Sequence, residues 1–110
     1  MPPATSPAAV VASFYDLVEA HDFDAAAALW TARMRNEYPP NEYIAGRFSR
    51  TTRIDLRRNE VVQFDASSGT AVVAVDLVEY RTVEPSPRRF VGSWDLVLTD
   101  DGWRMDEPHF

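Results

Sequence analysis

Apolar residues fall at helical spacing in the first part of the chain and at alternate positions from Thr51 onward. Ser6 can cap a first helix with Pro7 at its first position, where a missing N–H costs nothing. Val10, Phe14, Leu17, Val18 and His21 then share one face. Asp22 caps a second helix whose stripe is Phe23, Ala27, Trp30 and Met34, helped by the alanine run Ala25 to Ala28. Pro39 and Pro40 stop it by about Tyr38. Asn41 to Phe48 reads as a short third helix burying Tyr43, Ile44 and Phe48, weakened by Gly46. The stretch Phe14 to Trp30 is thus a helical hairpin around which the rest is arranged, and Trp30 is expected to be buried against a sheet.

Four strands follow, over Thr52 to Asp65, Thr70 to Val83, Arg88 to Thr99 and Trp103 to Glu107. The breaks Ala66 to Gly69, Glu84 to Pro87 and Asp100 to Gly102 are built of turn residues. Connections this short imply an antiparallel meander. A second turn centred on Pro85 and Ser86 sets Leu77 opposite Trp94, Val75 opposite Leu96 and Val73 opposite Leu98. The third turn sets Leu98 opposite Trp103 and Leu96 opposite Met105, so one face is consistently apolar. The first strand breaks the alternation. Ile54, Leu56, Val62 and Phe64 suit the inner face, but Arg58 and Glu60 lie between them, which predicts a bulge near Arg58 to Glu60 that bends the sheet.

Composition narrows the function classes. A chain of 110 residues, 45% hydrophobic and 25% charged, is expected to hold one globular domain over residues 8–110, preceded by a proline-rich tail or linker over residues 1–7. That tail motivates the expectation of a module cut from a longer protein. No apolar run is long enough to cross a membrane, and no signal peptide is visible. Localisation is therefore open: extracytoplasmic for a piece of a membrane-anchored parent, cytoplasmic otherwise. Cysteine is absent, which removes disulfides and thiolate chemistry, and every basic residue is arginine, which removes Schiff-base lysine chemistry. A net charge of −6 argues against a nucleic-acid partner, although seven arginines gather between Arg33 and Arg58.

The predicted register sends Asp76, Asp95 and Asp106 to the outer sheet face, nearly in a row. Such a row needs compensation, from Arg57 and Arg104 or else from a partner's arginine or a hard cation. Val72, Ala74, Val78, Tyr80, Val91 and Val97 share that face, which predicts a homodimer through it, with Val78, Tyr80, Val91, Asp95 and Val97 in the contact. His21, Asp22 and Asp24 are read as helix-end residues rather than metal ligands. No metal or cofactor is expected.

The stretches VVASFYDLVEAHDFDAAAALW and GSWDLVLTDDGWRM resemble the first helix pair and closing hairpin of the nuclear-transport-factor-2-like superfamily, including its SnoaL-like members. The resemblance implies an α+β, cystatin-like cone: three N-terminal helices packed on a bent four-strand antiparallel meander. It also implies a pocket lined or plugged by Phe14, Trp30, Met34, Tyr38, Tyr43, Phe48, Phe90 and Trp94, with Glu79 and Arg81, where the cone opens, either paired with each other or presenting polar groups to a ligand. The ketosteroid-isomerase branch of that superfamily places catalytic groups where this chain has Phe14, Tyr38 and Trp94, so all three roles are vacant and no catalytic residue is assigned. The expected function is a non-catalytic module, appended to a larger bacterial protein, that binds a small apolar ligand or a second copy of itself. Its ligand residues are Phe14, Trp30, Tyr38, Tyr43, Glu79, Arg81 and Trp94. The alternative is a SnoaL-like enzyme, an isomerase, cyclase or hydrolase acting on a hydrophobic ring substrate, with Glu79 as base and Tyr38 or Tyr43 as donor.

Overall fold

The computed structural model describes residues 6–110, so the predicted tail lies outside the described residues apart from Ser6 and Pro7, which open the first helix. The Ser6 hydroxyl accepts from the Ala9 N–H at 3.1 Å and starts α1 (Pro7–Glu19). Its buried stripe is Val10, Val11, Phe14, Tyr15 and Val18. Val11 and Tyr15 join the expected set because the helix is covered on two sides, whereas His21 is exposed. His21 has another role. It sits at φ 60°, where its N–H bonds the Val18 carbonyl and the next N–H, of Asp22, reaches Leu17. That is the left-handed helix ending usually given to glycine, here held by a bond between the His21 ring and the Thr51 carbonyl at 2.6 Å.

The expected second helix is split into α2 (Phe23–Ala27) and α3 (Ala32–Glu37). The fourth strand causes the break. The Met105 N–H donates to Leu29 and the Thr31 N–H to Met105, at 2.8 and 2.9 Å, pulling Trp30 into a parallel bridge with Met105. Thr31 then restarts the helix, its hydroxyl accepting from the Met34 N–H and donating to Asp106. Strand pairing with a distant segment overrides the helix propensity of the local sequence. The next segment, α4 (Asn41–Gly46), is a π-helical turn that buries Ile44 but leaves Tyr43 48% exposed.

The sheet has the order β1 (Thr51–Asp65), β2 (Thr70–Arg81), β3 (Arg88–Thr99), β4 (Gly102–His109), all antiparallel, with the helices preceding it in the chain. The β3–β4 pairs Leu96 with Met105 and Leu98 with Trp103 are as expected. The β2–β3 pairs are not: Leu77 faces Phe90, Val75 faces Gly92 and Val73 faces Trp94. The connection is not a tight turn on Pro85 and Ser86. Ser86 folds back to accept from the Arg81 N–H, and β2 outruns β3 to pair with β1. An even slip of four residues leaves every side chain on its expected face, which is why the apolar pattern could not detect it.

β1 carries three irregularities, between Thr51 and Arg53, Leu56 and Arg58, and Val61 and Gln63. The second turns Arg58 and Glu60 outward and Asn59 and Val61 inward, so Val62 is half exposed rather than a core residue. Phe64, 59% exposed, covers only the edge of Trp103, at 5.7 Å between rings, and Leu98 is exposed at the sheet end. Trp30, at 3% exposure, is buried against the sheet as expected.

The slipped register also dissolves the row of aspartates. Asp76 faces Val91, Asp95 faces Val72, and Asp106 falls in the β3–β4 irregularity. Each finds its own partner: Asp76 pairs with Arg89, Asp95 with His109, and Asp106 with Arg33 and Thr31. Arg57 bonds Asp55 and helps Asp76 only through its charge, without a hydrogen bond, and Arg104 bonds the Trp103 carbonyl instead.

Candidate ligand cavity

Helices and the inner sheet face enclose a cavity of about 350 Å³. α1 supplies Phe14 and Tyr15, the break after α2 supplies Trp30, and α3 and its exit supply Met34 and Tyr38. Tyr43, Arg47 and Phe48 close the side beyond α4; Leu77, Glu79, Phe90 and Trp94 form the sheet wall; Pro108 and Phe110 fold over from the end of β4. A larger depression of about 760 Å³ lies against the outer side of the sheet, walled by strand residues alone.

The eight aromatic and Met positions expected around a pocket all meet at this one cavity. Six of the seven expected ligand residues do so, and Arg81 does not. Arg81 was expected beside Glu79 because alternation puts both on one face. In the structure Glu79 turns instead to Arg47, whose two terminal nitrogens bond its two carboxylate oxygens at 3.0 and 2.9 Å, while the Thr51 hydroxyl donates a further bond. Glu79 is 1% exposed. Burial pushes its carboxyl up, but the Arg47 and Thr51 hydrogen bonds outweigh this and hold it below the usual carboxylate range. The Arg47 guanidinium is itself stacked on the Phe48 and Phe90 rings, 4.6 and 5.3 Å from their centroids.

The other polar groups divide into engaged and free. The Tyr38 hydroxyl donates to Glu107 at 2.7 Å, and that bond raises the phenol pKa and lowers the carboxyl's. Tyr43 packs edge-on to Tyr38 at the rim. Tyr15, 5% exposed, accepts from the Trp94 indole N–H at 3.0 Å, and among the described residues its own O–H has no acceptor. Burial pushes the Tyr15 phenol far above its ordinary value, so it stays protonated. The Trp30 indole N–H is buried without a partner among the described residues.

Tyr15, one helical step from Phe14, is not among the residues expected at the cavity. Both reach the cavity because α1 presents a broad face to it. Arg47 was one arginine among seven, with nothing local to single it out. Phe110 enters because β4 runs on to His109; its ring lies 5.7 Å from Trp94, and only a glycine at position 92 leaves room for it. A Cβ on Gly92 would stand 2.4 Å from the His109 carbonyl oxygen and 2.7 Å from the Phe110 ring.

On the outer face, Val78 is nearly buried, Tyr80 lies under Arg53 and Asp95 is paired with His109; Val97 is half-buried and Val91 is 61% exposed. His21, Asp22 and Asp24 form no ligating group, nor does any other set of described residues. No helix among the described residues is long and apolar enough to cross a membrane.

The fold has a solved counterpart. The solution structure of a SEC-C motif containing protein from Rhodopseudomonas palustris matches with a TM-score of 0.73 and 16% identity, over 98% of this chain and 80% of that one. At that identity the likeness is one of fold. No protein-family model matches the chain, and no curated protein matches it in sequence.

Proposed function

We propose that this chain is a non-catalytic small-ligand-binding module built as a nuclear-transport-factor-2-like, cystatin-like cone. The observation that carries the reading is the half-open cavity of about 350 Å³, walled mainly by aromatic side chains. That is the small end of the range of about 300–1,000 Å³ typical of ligand pockets. The enzyme alternative has Glu79 at the cavity in its favour and its bonding against it. A general base needs a free lone pair and a pKa near the working pH, whereas Glu79 is clamped by Arg47 and Thr51 and its pKa is lowered. Tyr38 is likewise engaged with Glu107.

The test is titration with 2-acetylnaphthalene, followed by tryptophan fluorescence, on the natural chain and on Leu77→Phe, which fills the sheet wall. Saturable one-to-one quenching that Leu77→Phe weakens at least tenfold supports the reading. Unchanged affinity in a folded Leu77→Phe protein, or no saturation in the natural chain, removes it. A second reading, self-association through the outer face, is favoured by the exposure of Val91 alone. A dimer mass by sedimentation that Val91→Arg abolishes supports it, and a monomer at high micromolar concentration removes it.

A further inference from the structure

The polar groups around the cavity are unequally engaged, and the imbalance specifies a ligand. Both carboxylate oxygens of Glu79 are taken by Arg47, and one also by Thr51. Each terminal nitrogen of Arg47 gives one hydrogen to Glu79, which leaves its other N–H groups open, and Tyr38 is committed to Glu107. The unused groups of the cavity wall are donors: the Tyr15 O–H, whose oxygen already accepts from Trp94, the remaining Arg47 N–H groups, and the Trp30 indole N–H, which has no partner among the described residues; the Tyr43 hydroxyl, also unbonded among the described residues, stands half exposed at the rim. A buried donor without an acceptor carries a desolvation cost that an incoming acceptor relieves. A charged ligand meets the opposite situation. An anion would share Arg47 with the Glu79 carboxylate and lie against its charge, and a cation would lie against Arg47 with the Glu79 oxygens already bonded.

From this pattern of free donors and engaged acceptors, we propose that the cavity selects an uncharged, largely apolar molecule carrying a hydrogen-bond acceptor and no donor, its acceptor lodged against the Tyr15 hydroxyl. The inference rests on the cavity being a ligand site and adds the polarity and orientation of what enters it. Tyr15 is then the residue that determines specificity. It binds through its proton, and no bond in the ligand is made or broken.

Three probes of similar shape separate the possibilities: 2-acetylnaphthalene (acceptor, neutral), 2-ethylnaphthalene (neither) and 2-naphthoate (charged). Each is titrated by tryptophan fluorescence into the natural chain and Tyr15→Phe. The ketone is expected to bind about tenfold tighter than the hydrocarbon and tighter still than the carboxylate. Tyr15→Phe should weaken the ketone roughly two- to tenfold, the loss of one neutral hydrogen bond, and leave the hydrocarbon unchanged. Equal affinity for ketone and hydrocarbon, or tightest binding of naphthoate, overturns the inference while the cavity remains a ligand site. A preference for the ketone that survives Tyr15→Phe overturns the assignment to Tyr15. Failure of all three probes overturns the ligand-site reading and this inference with it. The ranking in the natural chain decides the ligand class even if Tyr15→Phe does not fold.

Discussion

Strand β2 carries two carboxylates three residues apart, each held by two nitrogens of an arginine, one on either side of the sheet. Asp76 meets Arg89 on the outer face, with the arginine largely in water. Glu79 meets Arg47 at the cavity, with the carboxylate almost fully enclosed. Both pairs are bidentate, Arg89 through Nε and one terminal nitrogen and Arg47 through its two terminal nitrogens, and the larger difference is the solvent. Outside, water stabilises each ion whether or not its partner is there, so the pair adds little. Inside, Glu79 depends on Arg47 and Thr51 for the stabilisation that water would give, so the pair is a condition of the fold. A charge pair on one side of a sheet is surface decoration; on the other it is the polar floor of a cavity.

Substitutions that treat the two sides alike should therefore give unlike results, and the largest difference is at the arginines. Arg47→Ala strands a buried carboxylate and is expected to cost about 3 kcal/mol in urea denaturation, the low end for a broken buried pair because Arg47 is itself 37% exposed. Arg89→Ala should leave the urea midpoint where it was. Equal shifts would break the comparison. Next in size is Gly92→Ala, which drives a methyl into the His109 carbonyl and the Phe110 ring. Overpacking of this kind costs about 1–3 kcal/mol, and loss of the Phe110 contact should appear as a shift of the Trp94 emission.

Acid gives a smaller, signed effect. The Glu79 pKa is lower folded than unfolded, so its contribution is fully present above the unfolded carboxyl value and is lost as pH falls through the folded one. The slope of stability against pH below about pH 4.3 should flatten in Glu79→Gln; an unchanged slope contradicts the account. The smallest effect is at His109, whose pKa is raised by the Asp95 hydrogen bond. Its contribution is present below the unfolded value and is lost as pH rises through the folded one. Asp95→Asn should remove a slight loss of stability as pH rises past about 6.5, visible as a flatter profile of midpoint against pH.

How much of this was legible depends on the range of the interaction. Period, caps and turn residues are local, and they placed α1, the start of α2 and all four strands within a few residues. The faces of β2 and β3 were legible too, because burial repeats every second residue. The slip between those strands was not, because an even slip preserves alternation. Nor was the break at Trp30, which exists only because β4 offers it a backbone partner. The aromatic residues around the cavity could be gathered from the apolar pattern and the resemblance together. The polar chemistry could not, since nothing near Arg47 in sequence shows that it reaches across to Glu79.

The most direct test of the central claim uses the three tryptophans as built-in reporters. Trp30 and Trp94 line the cavity, while Trp103 is buried beneath Phe64 at the other end of the sheet. In a ¹⁵N-correlated NMR titration with 2-acetylnaphthalene, the indole N–H signals of Trp30 and Trp94 should move together to saturation while that of Trp103 stays in place. Movement of Trp103 alone, or of none of the three, would contradict the account.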